Sequence, residues 1–234
     1  MCDRPCPSQF SRRTFASGLT VAGGLAAMAT MGRSPAVAAQ SNPSSLAPDA
    51  ALEFLFAGNR RFIAGETVAP NRDMNRLREV APRQTPFAAF LGCADSRVPI
   101  EIVFDQGFGD LFVTRIAGNV AATENIASLE FATQILGARV LFVLGHTSCG
   151  AVAAAARAEP VPGQISALFQ HIRPAVRASR GDLDAAIREN VRVQAETLVE
   201  GSTVISSLVK ERKVIVAGGV FDLQSGRVEP VALG

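Results

Sequence analysis

Phe90-Leu91-Gly92-Cys93-Ala94-Asp95-Ser96-Arg97-Val98 and Leu144-Gly145-His146-Thr147-Ser148-Cys149-Gly150 each begin as an apolar run and end in a turn crowded with metal-binding or charged side chains. Working outward, four apolar, β-compatible runs punctuate the chain, at 87–92, 111–116, 139–145 and 213–221, and the two turns close the first and the third. Helical patterns lie between them, chiefly at 123–136 and 183–210, while the proline- and glycine-broken stretch 159–181 reads as short helical pieces and loops. Strands that alternate with helices, and are themselves almost continuously apolar, predict an α/β fold with a mostly parallel sheet flanked by helices. Such sheets bind ligands outside the carboxyl ends of their strands. If the first and third strands are neighbours, Cys93, His146 and Cys149 converge there on one ion.

Two thiolates and one imidazole form a good zinc set, and three protein ligands leave the fourth tetrahedral position open for water or substrate. A His-x-x-Cys pair alone is weak, since a histidine beside glycine is more often a loop residue; Cys93 at an equivalent strand end strengthens it. Asp95 and Arg97, two residues apart in extended chain, can point to one side and pair. An exposed loop ion pair would be worth little. At a metal the pair has a sharper use: Arg97 keeps Asp95 ionised, and Asp95 accepts the proton of a hydroxide on the metal, aiming a lone pair at an electrophile.

The 234 residues suffice for one sizeable domain and contain none of the long apolar runs of a multispan membrane protein. With 14 Phe and neither Trp nor Tyr, tyrosine-based catalysis is excluded. Residues 1–39 read as a twin-arginine signal: Ser11-Arg12-Arg13-Thr14-Phe15, a soft apolar run at 16–30, then Ala36-Val37-Ala38-Ala39. They hold four of the 23 basic residues and one of the 21 acidic ones, so the body carries 19 against 20, a balance that offers no footprint for nucleic acid. Export to the periplasm or thylakoid lumen is expected, with no integral membrane domain after cleavage. Residues 40–48 read as a linker and 49–234 as the domain, opening on an amphipathic helix at 49–65 that is a candidate clasp on a partner subunit. Cys2 and Cys6 fall in the leader; Cys93 and Cys149 remain, for a disulfide or a metal.

These residues resemble the β-class carbonic anhydrases, whose Cys-x-Asp-x-Arg motif appears as Cys93-Ala94-Asp95-Ser96-Arg97 and whose His-x-x-Cys appears as His146-Thr147-Ser148-Cys149. The likeness extends to Leu55-Phe56-Ala57-Gly58-Asn59-Arg60-Arg61-Phe62, Arg115-Ile116-Ala117-Gly118-Asn119, Ser128-Leu129-Glu130-Phe131 and Gly219-Val220-Phe221-Asp222-Leu223-Gln224-Ser225-Gly226. The resemblance implies one Zn2+ per subunit on Cys93, His146 and Cys149, the dyad Asp95–Arg97, and reversible hydration of carbon dioxide to bicarbonate by zinc-bound hydroxide. It implies substrate contacts from Gln84, Phe112, Ala117 and Phe131, and a homodimer or higher homo-oligomer. Gln84 by itself would read as a surface residue, and the two phenylalanines as core. Without Trp and Tyr, the Trp-Arg-Tyr bicarbonate-inhibition site of some bacterial members cannot be assembled.

Two thiolates already neutralise the cation, so bound water should acidify less than in an all-histidine site and activity should rise on the alkaline side. No proton shuttle stands out; His171, the other histidine, reads as a surface residue. Competing functions are hydrolysis of carbon disulfide or carbonyl sulfide on the same scaffold, a non-catalytic zinc-binding role, and thiol redox chemistry. The last is disfavoured because no Cys-x-x-Cys pair follows residue 39.

Overall fold

The computed structural model describes residues 45–157 and 159–233. The expected signal at 1–39 and residues 40–44 of the expected linker lie outside them. Among the described residues five strands form one sheet in the order β2-β1-β3-β4-β5: β1 (Ala88–Gly92), β2 (Leu111–Arg115), β3 (Val140–His146), β4 (Ile215–Phe221) and β5 (Val228–Val231). The first four run parallel and β5 lies antiparallel to β4. Every residue of β1 and β3 is buried, which is why these strands read as unbroken apolar runs. Side chains alternate across the sheet. Ala89, Leu91, Leu141 and Val143 join Leu129, Ile172, Val191 and Leu198 in one core, whereas Ala88, Phe90, Phe142 and Leu144 join Leu55, Ile100 and Phe104 in the other.

Among the described residues eight α-helices cover the faces: α1 (Pro48–Ala64), α2 (Met74–Val80), α3 (Ile100–Val103), α4 (Thr123–Glu130), α5 (Gly150–Arg157), α6 (Phe169–Ala178), α7 (Leu183–Glu200) and α8 (Thr203–Lys210). Among the described residues none is long and apolar enough to cross a membrane. Proline at its start and Gly65 in the left-handed conformation at its end bound α1. Asn59 of α1 donates to the carbonyls of Val103 and Gly226 and accepts from the Val228 amide, and a Cβ at Gly58 would meet the Phe104 carbonyl oxygen at 1.9 Å. The carboxyl half of α1 is thus fastened to its own chain.

Several elements depart from the sequence pattern. The single helical pattern at 183–210 is two helices, because Gly201 ends α7 and the Ser202 hydroxyl accepts the Ile205 amide to start α8. Within 159–181 a 3₁₀ turn (Ile165–Leu168) leads into the ten-residue α6, which tolerates Pro174 and buries Phe169, Ile172 and Ala175. The short strand β5 was not foreseen; its Pro230 is accommodated because β5 is an edge strand. The chain leaves β1 for β2 on one side and leaves β3 for β4 on the other. Connections therefore diverge at the carboxyl ends of β1 and β3, and a crevice opens there.

Candidate metal centre

Cys93 follows the last residue of β1, His146 is the last residue of β3, and Cys149 immediately precedes α5. All three are buried, and their sulfur and ring-nitrogen atoms lie within 4.8 Å of one another. Ser148, in the left-handed region at φ 56°, bends the short link so that His146 and Cys149 face one point. The His146 Nδ1 hydrogen bond to the Thr147 carbonyl, 3.0 Å, selects the tautomer with its proton on Nδ1. Its Nε2 is buried and without a hydrogen-bond partner. An orphaned lone pair beside two sulfurs is the arrangement that a soft divalent cation satisfies.

The protons are poised for displacement. A hydrogen bond from Cys149, helped by His146 and the Gly118 amide, lowers the Cys93 thiol to about 4. The same sharing with Cys93, together with burial, raises Cys149, while amides of Ala151 and Val152 in the first turn of α5 act against that rise. Burial opposes charge on His146, but its interaction with the neighbouring Cys93 sulfur more than offsets this and raises the imidazole. A metal would take the place of these shared protons.

Beside the ligands, Arg97 holds Asp95 in a fork: Nε to Oδ1 at 3.0 Å and Nη2 to Oδ2 at 2.8 Å, with the Arg97 amide donating to Oδ1 at 2.9 Å. The fork holds the Asp95 carboxyl far below the usual carboxylate range. Arg97 also donates to the Ser148 carbonyl, tying the dyad to the His146–Cys149 turn, and Asp95 Oδ2 stands 3.8 Å from His146 Nε2.

A family model described as carbonic anhydrase matches residues 88–228. Carbonic anhydrase 2 of Mycobacterium tuberculosis is 36% identical over 188 residues, covering 77% of this chain and 91% of that protein. The carbonic anhydrase of Mycolicibacterium smegmatis is 35% identical over 190 residues, covering 78% and 92%. The solved Coccomyxa β-carbonic anhydrase in complex with acetazolamide superposes with TM-score 0.62 at 26% identity, covering 77% of this chain and 86% of that one. This chain belongs to the β-class carbonic anhydrases.

Within this carbonic anhydrase the other residues named from the sequence separate into two groups. Ala117 lies at the metal end, in a 3₁₀ turn (Ala117–Asn119) whose Gly118 amide donates to Cys93 Sγ at 3.3 Å. Gln84, Phe112 and Phe131 lie toward the opposite end of the strands. Phe112 pairs in register with Ala89, near the start of β1; Gln84 precedes that strand, exposed, in a cavity shared with Ile135 and Leu136. Phe131, 45% exposed, stacks on Phe112 with ring centroids 6.4 Å apart. His171 is half-buried on α6, where its carbonyl accepts from Gln194.

Three supports of this carbonic anhydrase site went unrecognised in the sequence. Arg115 clamps the turn after β1, donating to the carbonyls of Cys93 and Asp95. Asn190 and Gln194, buried on α7, donate to the Gly118 carbonyl and accept the Ala121 amide respectively, and bond each other at 3.0 Å. Two amides four residues apart on the apolar face of α7, among Ile187, Val191, Ala195 and Leu198, were the available signal.

Proposed function

We propose that the chain is a zinc enzyme that reversibly hydrates carbon dioxide to bicarbonate and a proton, with one Zn2+ per subunit on Cys93, His146 and Cys149. The observation that carries this is the buried, unpartnered His146 Nε2 beside two sulfurs, with an arginine-locked carboxylate 3.8 Å away. Zinc held there would supply a Lewis acid that acidifies water enough to give a nucleophile near neutral to alkaline pH. Asp95 Oδ2, 3.8 Å from His146 Nε2, is placed to accept a hydrogen bond from a nucleophile's O–H and would thereby orient it toward carbon dioxide. Arg97 keeps the carboxylate ionised and stops it rotating. The Gly118 amide steadies the Cys93 sulfur, and Arg115 fixes the turn that carries Asp95.

The substrate wall is supplied by a second copy. Gln84, Phe112 and Phe131 stand at the end of the sheet away from their own chain's metal, so they serve a metal site only across a homodimer. Among the described residues the outer edge of β2 is unpaired; the strand is mostly half-buried and carries Phe112. Pairing of subunits there would bring the Gln84 amide to the partner's carbon dioxide. Export rests on the pattern at 1–39 and is checked by subcellular fractionation with mass spectrometry of the N-terminus, which should begin after Ala38 or Ala39.

The test is metal analysis beside carbon dioxide hydration and sulfur-analogue hydrolysis. One zinc per chain and fast hydration, both lost in Cys149→Ser, are expected. A zinc-replete protein that hydrolyses carbon disulfide or carbonyl sulfide and leaves carbon dioxide untouched would replace this function, and a zinc-replete protein inert to all three would reduce it to zinc binding.

A further inference from the structure

At the amino ends of β3 and β4, far from the metal, a cavity of about 620 Å³ is lined by Gln134, Arg139, Ser207, Glu211 and Lys213 over an apolar floor that includes Leu208 and Val214. Arg139 directly precedes β3, and its backbone is fully engaged: the amide donates to Phe87 and the carbonyl accepts from Ile215. Its side chain is not. The guanidinium Nε is buried without a hydrogen-bond partner, and among the described residues no carboxylate pairs with Arg139. The residue as a whole is half-buried, but an Nε that loses water and gains nothing is costly, and the fork of an arginine matches a carboxylate in plane and spacing.

We propose that this cavity is an anion site in which Arg139 grips the carboxylate of a small organic acid. Lys213 supplies a second positive charge at the rim, shared with Glu211 at 2.7 Å and more than half exposed. Ser207 and Gln134 line the same cavity with a hydroxyl and an amide suited to further polar groups on the ligand. The volume suits a molecule of modest size, and the apolar floor suits its carbon skeleton. The seven residues of β3 separate Arg139 from His146, so the acid binds about 20 Å from the metal and does not compete for it.

The experiment is isothermal titration of the zinc-loaded full chain with sodium acetate, succinate and citrate, in wild type, Arg139→Gln and Lys213→Gln, with sedimentation of each. Succinate or citrate should bind wild type at least about tenfold more tightly than Arg139→Gln. Lys213→Gln, at an exposed position that leaves the fold undisturbed, should weaken binding several-fold. Carbon dioxide hydration should be unchanged in both variants, and any anion held by the metal should persist equally in all three proteins. Binding that is the same in wild type and both variants, or absent from wild type, overturns the proposal. So does an Arg139→Gln protein that loses its oligomeric state while no acid binds the wild type, because the carboxylate would then come from a second copy of the chain.

Discussion

Asp95 carries the heaviest demand at the level of single residues, because in the proposed function it must stay ionised beside the zinc without capturing it. Its depressed pKa arises chiefly from the Arg97 side chain. The stabilisation it brings is therefore present above the unfolded carboxylate value and is lost only as pH falls through the lower folded one. No inflection from Asp95 is expected between about pH 6 and pH 9, so a pH–rate profile there should show one alkaline rise belonging to the nucleophile. A flat profile would contradict the charge argument for a two-thiolate site. Arg97→Ala frees the carboxylate: zinc content should hold while kcat/KM falls by about 10²-fold or more, measured by stopped-flow and metal analysis on the same sample. Cys93, Asp95, Arg97, His146 and Cys149 were legible in the sequence because each sits in a short motif at a strand end. Arg115, Asn190 and Gln194 were not, because what they do is set by contacts 20 to 73 residues away.

The 117–121 turn shows how elements hold the site. Gly118 sits at φ 76°, and a Cβ there would come within 2.7 Å of Ile172 Cδ1 on α6. Its amide meets Cys93 Sγ and its carbonyl meets Asn190, so the turn joins β2, α6 and α7 to one of the candidate metal ligands. Gly118→Ala should lower stability by about 1–3 kcal/mol and weaken zinc retention, read by thermal melting with and without a chelator. Gln194→Leu leaves the Ala121 amide buried without an acceptor and should cost a similar ~1–3 kcal/mol. Strands β1 and β3 were readable because burial on both faces writes them as apolar runs, and β4, half-buried at Ile215–Ala217, because it stays apolar throughout. The edge strand β5, interrupted by Pro230, and α2, which buries no residue, leave no such imprint. The break between α7 and α8 escaped notice because apolar spacing continues across Gly201 and Ser202.

At the scale of the whole molecule, one chain places its candidate ligands at one end of the sheet and the proposed substrate wall at the other, so in the proposed homodimer each subunit would complete its partner's site. Gln84→Ala should lower hydration with zinc content unchanged. Coexpressing Gln84→Ala with Cys149→Ser should restore activity in the mixed dimers, since the first chain contributes a loaded metal site and the second an intact glutamine. Failure to complement, in dimers shown to be mixed, would return Gln84 to a surface role. The most direct measurement is stopped-flow hydration of carbon dioxide by the zinc-loaded wild type beside Asp95→Ala at matched zinc content. Fast hydration that falls by about 10²- to 10⁴-fold in the variant is predicted. A loaded wild type that does not hydrate carbon dioxide, or a variant as fast as wild type, would contradict the account.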